Sequence, residues 1–460
     1  MLFNSTLFLI FLVAVVSLYY QLERPYRRAL ILLASYTFYW VWSVPFSFLL
    51  VGSTAIDYVA ARVIDSASSK TRKRLALLAS MVFNLGVLAL FKYADFFSDS
   101  AYSLIGMRPW PELDWVLPLG ISFYTFQTMS YTIDVYRGVM PARKSLMDVA
   151  IYVSFFPQLV AGPIVRADTL LPQLAEMPAE ADWSRIRRGV ARILWGLGKK
   201  VFIADAMGRV ANEVYSAPDQ FGSFDLMMGT YAFAVQIYCD FSAYSDIAIG
   251  SALLLGIKLP ENFDSPYLSR SIREFWRRWH ITLSTWLRDY LYIPLGGSRG
   301  GPVRTYVNLM VTMVLGGLWH GAGWNWVVWG GIQGGVLSFE RVIRLPDEPR
   351  TAVGGVLRWF ITLHIVCLSW VFFRASDLTE AVIILKRIVT LETGVLTVGF
   401  IPAVYFAVIM LTEKLRVRDR FVELLDYRPL LTRWIAYAAF VLLVFTFKGS
   451  SSPEFIYFQF

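Results

Sequence analysis

Charge, cysteine and histidine are all scarce in this chain of 460 residues. Charged residues make up 17% of it against 56% hydrophobic, and the mean hydropathy is +0.51. A soluble chain of this length needs far more charge to cover its surface, so the composition points to lipid as the solvent. The two cysteines, Cys239 and Cys367, fall inside apolar stretches, which argues against a disulfide framework and leaves no zinc cluster or other metal site. No repeat of fixed period and no linker is present, and the reading is a single membrane domain over residues 1–460. A basic soluble face is lacking too. The net charge of +9 comes from Lys and Arg in short gaps between apolar runs, the signature of a polytopic protein and not of a nucleic-acid binder. The first segment, Leu2–Tyr20, has no basic residue ahead of it and no small-residue cleavage site behind it, so a retained helix is expected.

What the chain has in abundance is long apolar runs and aromatics, including 16 Trp. The fold class expected is an all-α polytopic membrane protein. Spans are expected at Ser5–Tyr20, Ala29–Trp42, Pro45–Ile64, Leu75–Phe91, Val190–Val210, Met227–Leu255, Trp324–Val342, Val356–Phe373, Val395–Leu411 and Ile435–Phe447. Arg24, Arg27 and Arg28 follow the first, and Arg62, Lys70, Arg72, Lys73 and Arg74 follow the third. Asp95, Asp99, Glu112 and Asp114 enrich the gap after the fourth in acid. Basic gaps face the cytoplasm, and the later gap from Lys414 to Arg433 is basic too, so both chain ends are expected outside. Between these spans, Val116–Val135, Ile151–Val165 and Leu291–Leu318 are interrupted by Pro118, Gly120, Pro157, Gly162, Pro163, Pro294, the run Gly296–Gly301, Gly316 and Gly317. Irregular backbone at membrane depth survives only where protein or a water-filled cavity surrounds it, so half-helices or re-entrant segments around a cavity are expected.

With three histidines, the search for chemistry is short. His320 sits among Gly316, Gly317, Trp319, Gly321, Ala322, Gly323 and Trp324. Its ring either satisfies a backbone carbonyl or meets a substrate that small neighbours let approach closely. His280 closes the run Ile272–His280, whose Arg273, Arg277 and Arg278 are either orienting charges or grips for a carrier's phosphates. His364 reads as structural. Asp240 and Asp246 lie in one apolar run, and Asp240 shares a helix face with Tyr244, four residues on; a structural polar contact and a role at the substrate both remain open.

Five segments in order, Leu117–Gln127, Phe156–Pro163, Gln236–Asp246, Arg273–His280 and Trp319–Trp324, resemble the membrane-bound O-acyltransferases, in particular their bacterial alginate O-acetyltransferase branch. The resemblance implies a ring of tilted helices around a thin centre, with a central funnel open to the cytoplasm. It implies catalytic histidines at His320 and His280. From the residues themselves, substrate contacts are expected among Arg273, Arg277, Arg278, Trp319, Trp324, Asp240 and Tyr244. The resemblance implies a donor thioester, acetyl-coenzyme A or an acyl carrier protein, as co-substrate with no tightly bound cofactor. It further implies a partner acyltransferase outside the bacterial inner membrane and a polysaccharide acceptor. A thioester is already activated, so the acceptor hydroxyl mainly needs a base and a dry, oriented site. His320 is expected as that base, with His280 holding the thioester or polarising its carbonyl. The competing readings are D-alanyl transfer to teichoic acid and, in another class, a proton-coupled secondary transporter.

Overall fold

The computed structural model describes residues 1–178, 180–394, 396–447 and 455–456. Among these the regular structure is helical, with no strand. Each expected span overlaps a helix: Thr6–Gln21, Arg24–Trp40, Val44–Ser66, Lys70–Leu88, Trp183–Gly198, Ser223–Leu254, Trp324–Val342, Ala352–Arg374, Ile401–Lys414 and Leu430–Phe447. Val395, the expected start of one span, lies outside the described residues. Val44–Ser66, Lys70–Ile105 and Ala352–Arg374 are long and apolar enough to cross a bilayer, and Thr6–Gln21 and Leu430–Val444 are shorter apolar helices. At 1.5 Å per residue, a helix of about 20 residues matches a hydrocarbon core of roughly 30 Å.

Charged residues in three of the gaps lie on helices. Arg24, Arg27, Arg28 and the Lys70–Arg74 cluster are helical, at the starts of Arg24–Trp40 and Lys70–Leu88. Cations there oppose the helix dipole, so local stability does not account for them. Arg27 is buried, donating to the carbonyls of Leu22 and Pro178 with its guanidinium over the Tyr19 ring. Asp95 and Asp99 are helical as well, because Lys70–Leu88 continues through a π-helical turn, Ala89–Tyr93, into Ala94–Ile105.

The chain forms two compact units: Met1–Ile193 with Ile247–Pro260, and Leu194–Asp246 with Glu261–Phe460. In the first, a buried polar knot ties Val44–Ser66, Lys70–Leu88 and Ile121–Arg137 together. Asp57, fully buried, accepts from Ser80 Oγ, from Thr132 Oγ1 at 2.7 Å and from Asn84 Nδ2 at 2.8 Å. The apolar spans lack a strong hydrophobic drive between helices in lipid, so such contacts help fix their register. The broken segment after Leu146–Ser154 is irregular as expected, and protein side chains satisfy its backbone. Tyr152 OH donates to Val165 O at 3.1 Å, and Ser35 Oγ accepts from Phe156 N at 3.2 Å. Gly120 has φ 74°, and a Cβ there would sit 2.8 Å from Leu159 O. Only glycine fits that turn.

In the second unit, the Leu291–Leu318 region resolves into a π-helical turn Arg288–Tyr292, a glycine-rich bend and the unbroken helix Gly301–His320. The bend is irregular as expected, with Asn308 Nδ2 donating to Gly297 O at 2.9 Å. Gly316 and Gly317 do not interrupt the helix. A Cβ on Gly317 would lie 2.2 Å from Trp326 O, and one on Gly330 would lie 2.4 Å from Met313 O. The glycines therefore let Gly301–His320 and Trp324–Val342 pack backbone against backbone, as small residues do between membrane helices.

Candidate active site: a buried histidine pair

His320 ends Gly301–His320, and the close approach of Trp324–Val342 surrounds its ring with aromatics. Trp319, Trp329 and Phe373 meet it edge-on at 5.0, 5.4 and 5.2 Å between centroids, and Trp326 lies nearly parallel at 6.3 Å. The ring is 5% exposed. The space that small residues were expected to leave for a substrate is filled by the protein itself: a Cβ on Gly321 would lie 2.3 Å from the Trp326 indole.

His280 arrives from another element. Helix Ile272–Arg278 starts at Ser271, whose hydroxyl accepts from Glu274 N at 3.0 Å, a capped start that the Ser-x-x-Glu spacing encodes. The chain then turns sharply, with His280 at φ 42° and ψ 53°, before Ile281–Leu287 begins. A non-glycine residue in the left-handed region costs on the order of 1 kcal/mol or more and persists only where its surroundings hold it. Asn262 supplies that hold. Its carbonyl accepts from Ile281 N at 2.9 Å, and its side chain reaches His280 Nδ1 at 3.2 Å. The turn brings the His280 ring to 6.4 Å from that of His320, with Trp319 at 5.9 Å and Phe241 at 4.7 Å. His280 is 0% exposed. Trp279, Trp329 and Trp370 continue the aromatic wall, Trp329 and Trp370 stacked at 5.6 Å.

The other expected site residues divide. Trp319 joins the pair. Trp324 is 54% exposed at the start of its helix, and Trp326, two residues on, is the one beside His320. Asp240 and Tyr244 do share a face: Asp240 accepts from Ile456 N, and the Tyr244 ring meets Phe455 at 5.0 Å. Phe241, not Asp240, is the part of that helix that packs on His280. Arg278 pairs with Glu274 at 2.8 Å, and Arg273 with Asp347 at 3.2 Å, while Arg277 is exposed with no ion pair among the described residues. Arg273 also lines a cavity of about 560 Å³ together with Arg341 and Arg344. His364 lies apart from the pair, its Nδ1 meeting Phe360 O and its Nε2 meeting Tyr231 OH, both at 2.8 Å.

Sequence reasoning missed a buried charge network on the π-helical turn Lys199–Ala204. Lys199 Nζ lies 2.6 Å from Asp246 and 2.7 Å from Ser242 Oγ, and Lys200 Nζ lies 2.7 Å from Asp240 and 3.0 Å from Asp205. Two successive lysines inside an apolar run were the available signal, because ionisable groups at such depth are kept only when paired. Asn262 was missed as well, having no marker in sequence beyond its place ahead of the arginine run.

These features define a class: a helical membrane protein with a desolvated histidine pair in an aromatic enclosure. A family model described as the membrane-bound O-acyltransferase family matches residues 141–373, which include both histidines. The probable alginate O-acetylase of Pseudomonas aeruginosa is 45% identical over 83% of this chain and 73% of its own. That of Pseudomonas putida is 37% identical with both chains covered in full. The peptidoglycan O-acetyltransferase of Helicobacter pylori is 36% identical over 85% of this chain and 80% of its own. The chain belongs to the membrane-bound O-acyltransferase family, and it is an O-acyltransferase.

Proposed function

We propose that the protein takes an acyl group, an acetyl by its relatives' activities, from a cytoplasmic thioester and passes it toward a hydroxyl of an extracytoplasmic polysaccharide such as alginate, through a partner acyltransferase. The observation that carries this reading is the pairing of His280 and His320, forty positions apart, at 6.4 Å between ring centroids. An oxygen within about 3 Å of a nitrogen on each ring fits that separation, which is the reach a general base requires. His320 accepts the hydroxyl proton as the oxygen attacks the thioester carbon. The C–O bond forms, the C–S bond breaks, and the proton passes from His320 to the departing sulfur. His280 holds a reactant against it, and the surrounding tryptophans keep the site dry so that water does not compete for the acyl group.

The donor, acetyl-coenzyme A or an acyl carrier protein, approaches from the cytoplasm beside Arg273, Arg277 and Arg278, with Trp319 lining its path and no tightly bound cofactor required. Trp324, Asp240 and Tyr244 remain candidates for contacts further along that path. Arg277 is free to meet phosphate, and the Arg273, Arg341 and Arg344 cavity offers further guanidinium groups, which engage phosphate oxygens through paired hydrogen bonds. The orientation puts the N-terminus outside the inner membrane and the Arg62–Arg74 and Lys414–Arg433 segments inside. Single cysteines at Ser68 and Arg428 stay unlabelled by an impermeant reagent in intact cells under this orientation; labelling of either overturns it. Mass spectrometry of surface polysaccharide from cells with and without the gene tests the acceptor. Loss of acetyl ester from a polysaccharide supports the proposal, and an unchanged polysaccharide with altered peptidoglycan or teichoic acid refutes it.

A further inference from the structure

What His280 can do for a substrate depends on which ring nitrogen carries its proton. Asn262 fixes that choice. The backbone N–H of Thr282 meets Asn262 Oδ1 at 3.2 Å, and the Thr282 hydroxyl donates to the same atom at 2.9 Å. A backbone N–H only donates, so the atom facing it is the amide oxygen and not the amide nitrogen. The amide nitrogen is spent elsewhere, donating to Ser245 Oγ at 3.3 Å. His280 Nδ1 lies 3.2 Å from that same oxygen. The oxygen has no proton to give, so the proton of this hydrogen bond belongs to Nδ1. A neutral imidazole has a single N–H, which leaves the lone pair on Nε2.

We infer that Asn262 is a positioning residue for acyl transfer, locking neutral His280 in the Nδ1–H tautomer so that Nε2 offers the substrate a hydrogen-bond acceptor. Nε2 then pairs with a donor, such as an O–H or N–H of a substrate. A thioester carbonyl oxygen needs a donor, so the neutral ring does not polarise it through this atom. The kinetic part of the inference rests on the role proposed above for His280; the tautomer does not.

With three histidines in the chain, nitrogen NMR of the full-length protein, labelled with ¹⁵N-histidine in detergent, reads each ring separately, and the His280→Ala spectrum assigns His280 by the signals it loses. The expected result at neutral pH is a protonated Nδ1 and a pyridine-type Nε2. An Nε2–H tautomer in the wild-type protein overturns the inference without any variant. Asn262→Ala is expected to release the ring to a mixture containing Nε2–H and to lower kcat about 10²-fold, the scale of a misplaced catalytic group. Thr282→Val removes one of Asn262's other partners and is expected to keep both the tautomer and at least half of kcat. If Asn262 only staples the loop, Thr282→Val reproduces the loss in kcat, and the inference fails. An Nδ1–H tautomer alongside a fully active His280→Ala protein leaves the lock standing and removes His280 from the reaction instead.

Discussion

Replacing Gly317 with alanine tests how the helix pair sets the site. The added Cβ would stand 2.2 Å from Trp326 O and 3.3 Å from the Gly330 Cα. Both neighbours are backbone, so no side chain swings away. Ordinary van der Waals contact begins near 3.4 Å, so the helices must separate by about 1 Å, a displacement that costs on the order of 10²-fold in rate when it moves a catalytic group. His320 lies three residues on, and Trp326 and Trp329, which help enclose its ring, move relative to it. Overpacking of this kind costs roughly 1–3 kcal/mol of stability, partly offset by the higher helix propensity of alanine, about 1 kcal/mol. The matched control is Gly331→Ala, on the facing helix, where a Cβ meets nothing within 4 Å. Acyl transfer in detergent and thermal unfolding are measured on all three proteins after size exclusion. Gly317→Ala is expected to lose about 10²-fold in kcat and to melt lower, while Gly331→Ala matches wild type or melts higher. Equal turnover in all three would refute the claim that the glycines serve helix approach.

The other predictions concern the polar knot and the donor. Asp57→Ala leaves Ser80, Asn84 and Thr132 without their shared acceptor in a buried setting, for a loss of about 1–3 kcal/mol; an unchanged melting temperature counts against the knot as a source of stability. Replacing Arg277 and Arg278 together with Gln is expected to raise the donor's KM with kcat little altered at saturation. An unchanged KM in well-folded protein moves the donor contact to the Arg273, Arg341 and Arg344 cavity.

The helices were legible because hydropathy over some 20 residues needs no knowledge of partners. The histidine pair was legible through the rarity of histidine and the resemblance of its flanking segments. What the sequence concealed depends on partners distant in the chain. Gly317 looks like a helix break until Trp326 is packed against it. Lys199 and Lys200 vanish in an averaged apolar run, although the π-helical turn directs one toward Asp246 and the other toward Asp240 and Asp205. Trp324 and Trp326 flank the same stretch, and only the helix start decides which of them meets His320. Asn262 is one polar residue in a loop until Thr282 and His280 converge on its oxygen.

The most direct test of the account is single-turnover acyl transfer from a thioester donor by purified wild-type and His320→Ala proteins, both shown by size exclusion to be folded. A general base contributes roughly 10²–10⁴-fold, so the variant is expected to fall below a tenth of wild-type turnover while still inserting and purifying normally. A folded His320→Ala protein that keeps more than that tenth would contradict the assignment of His320 as the base.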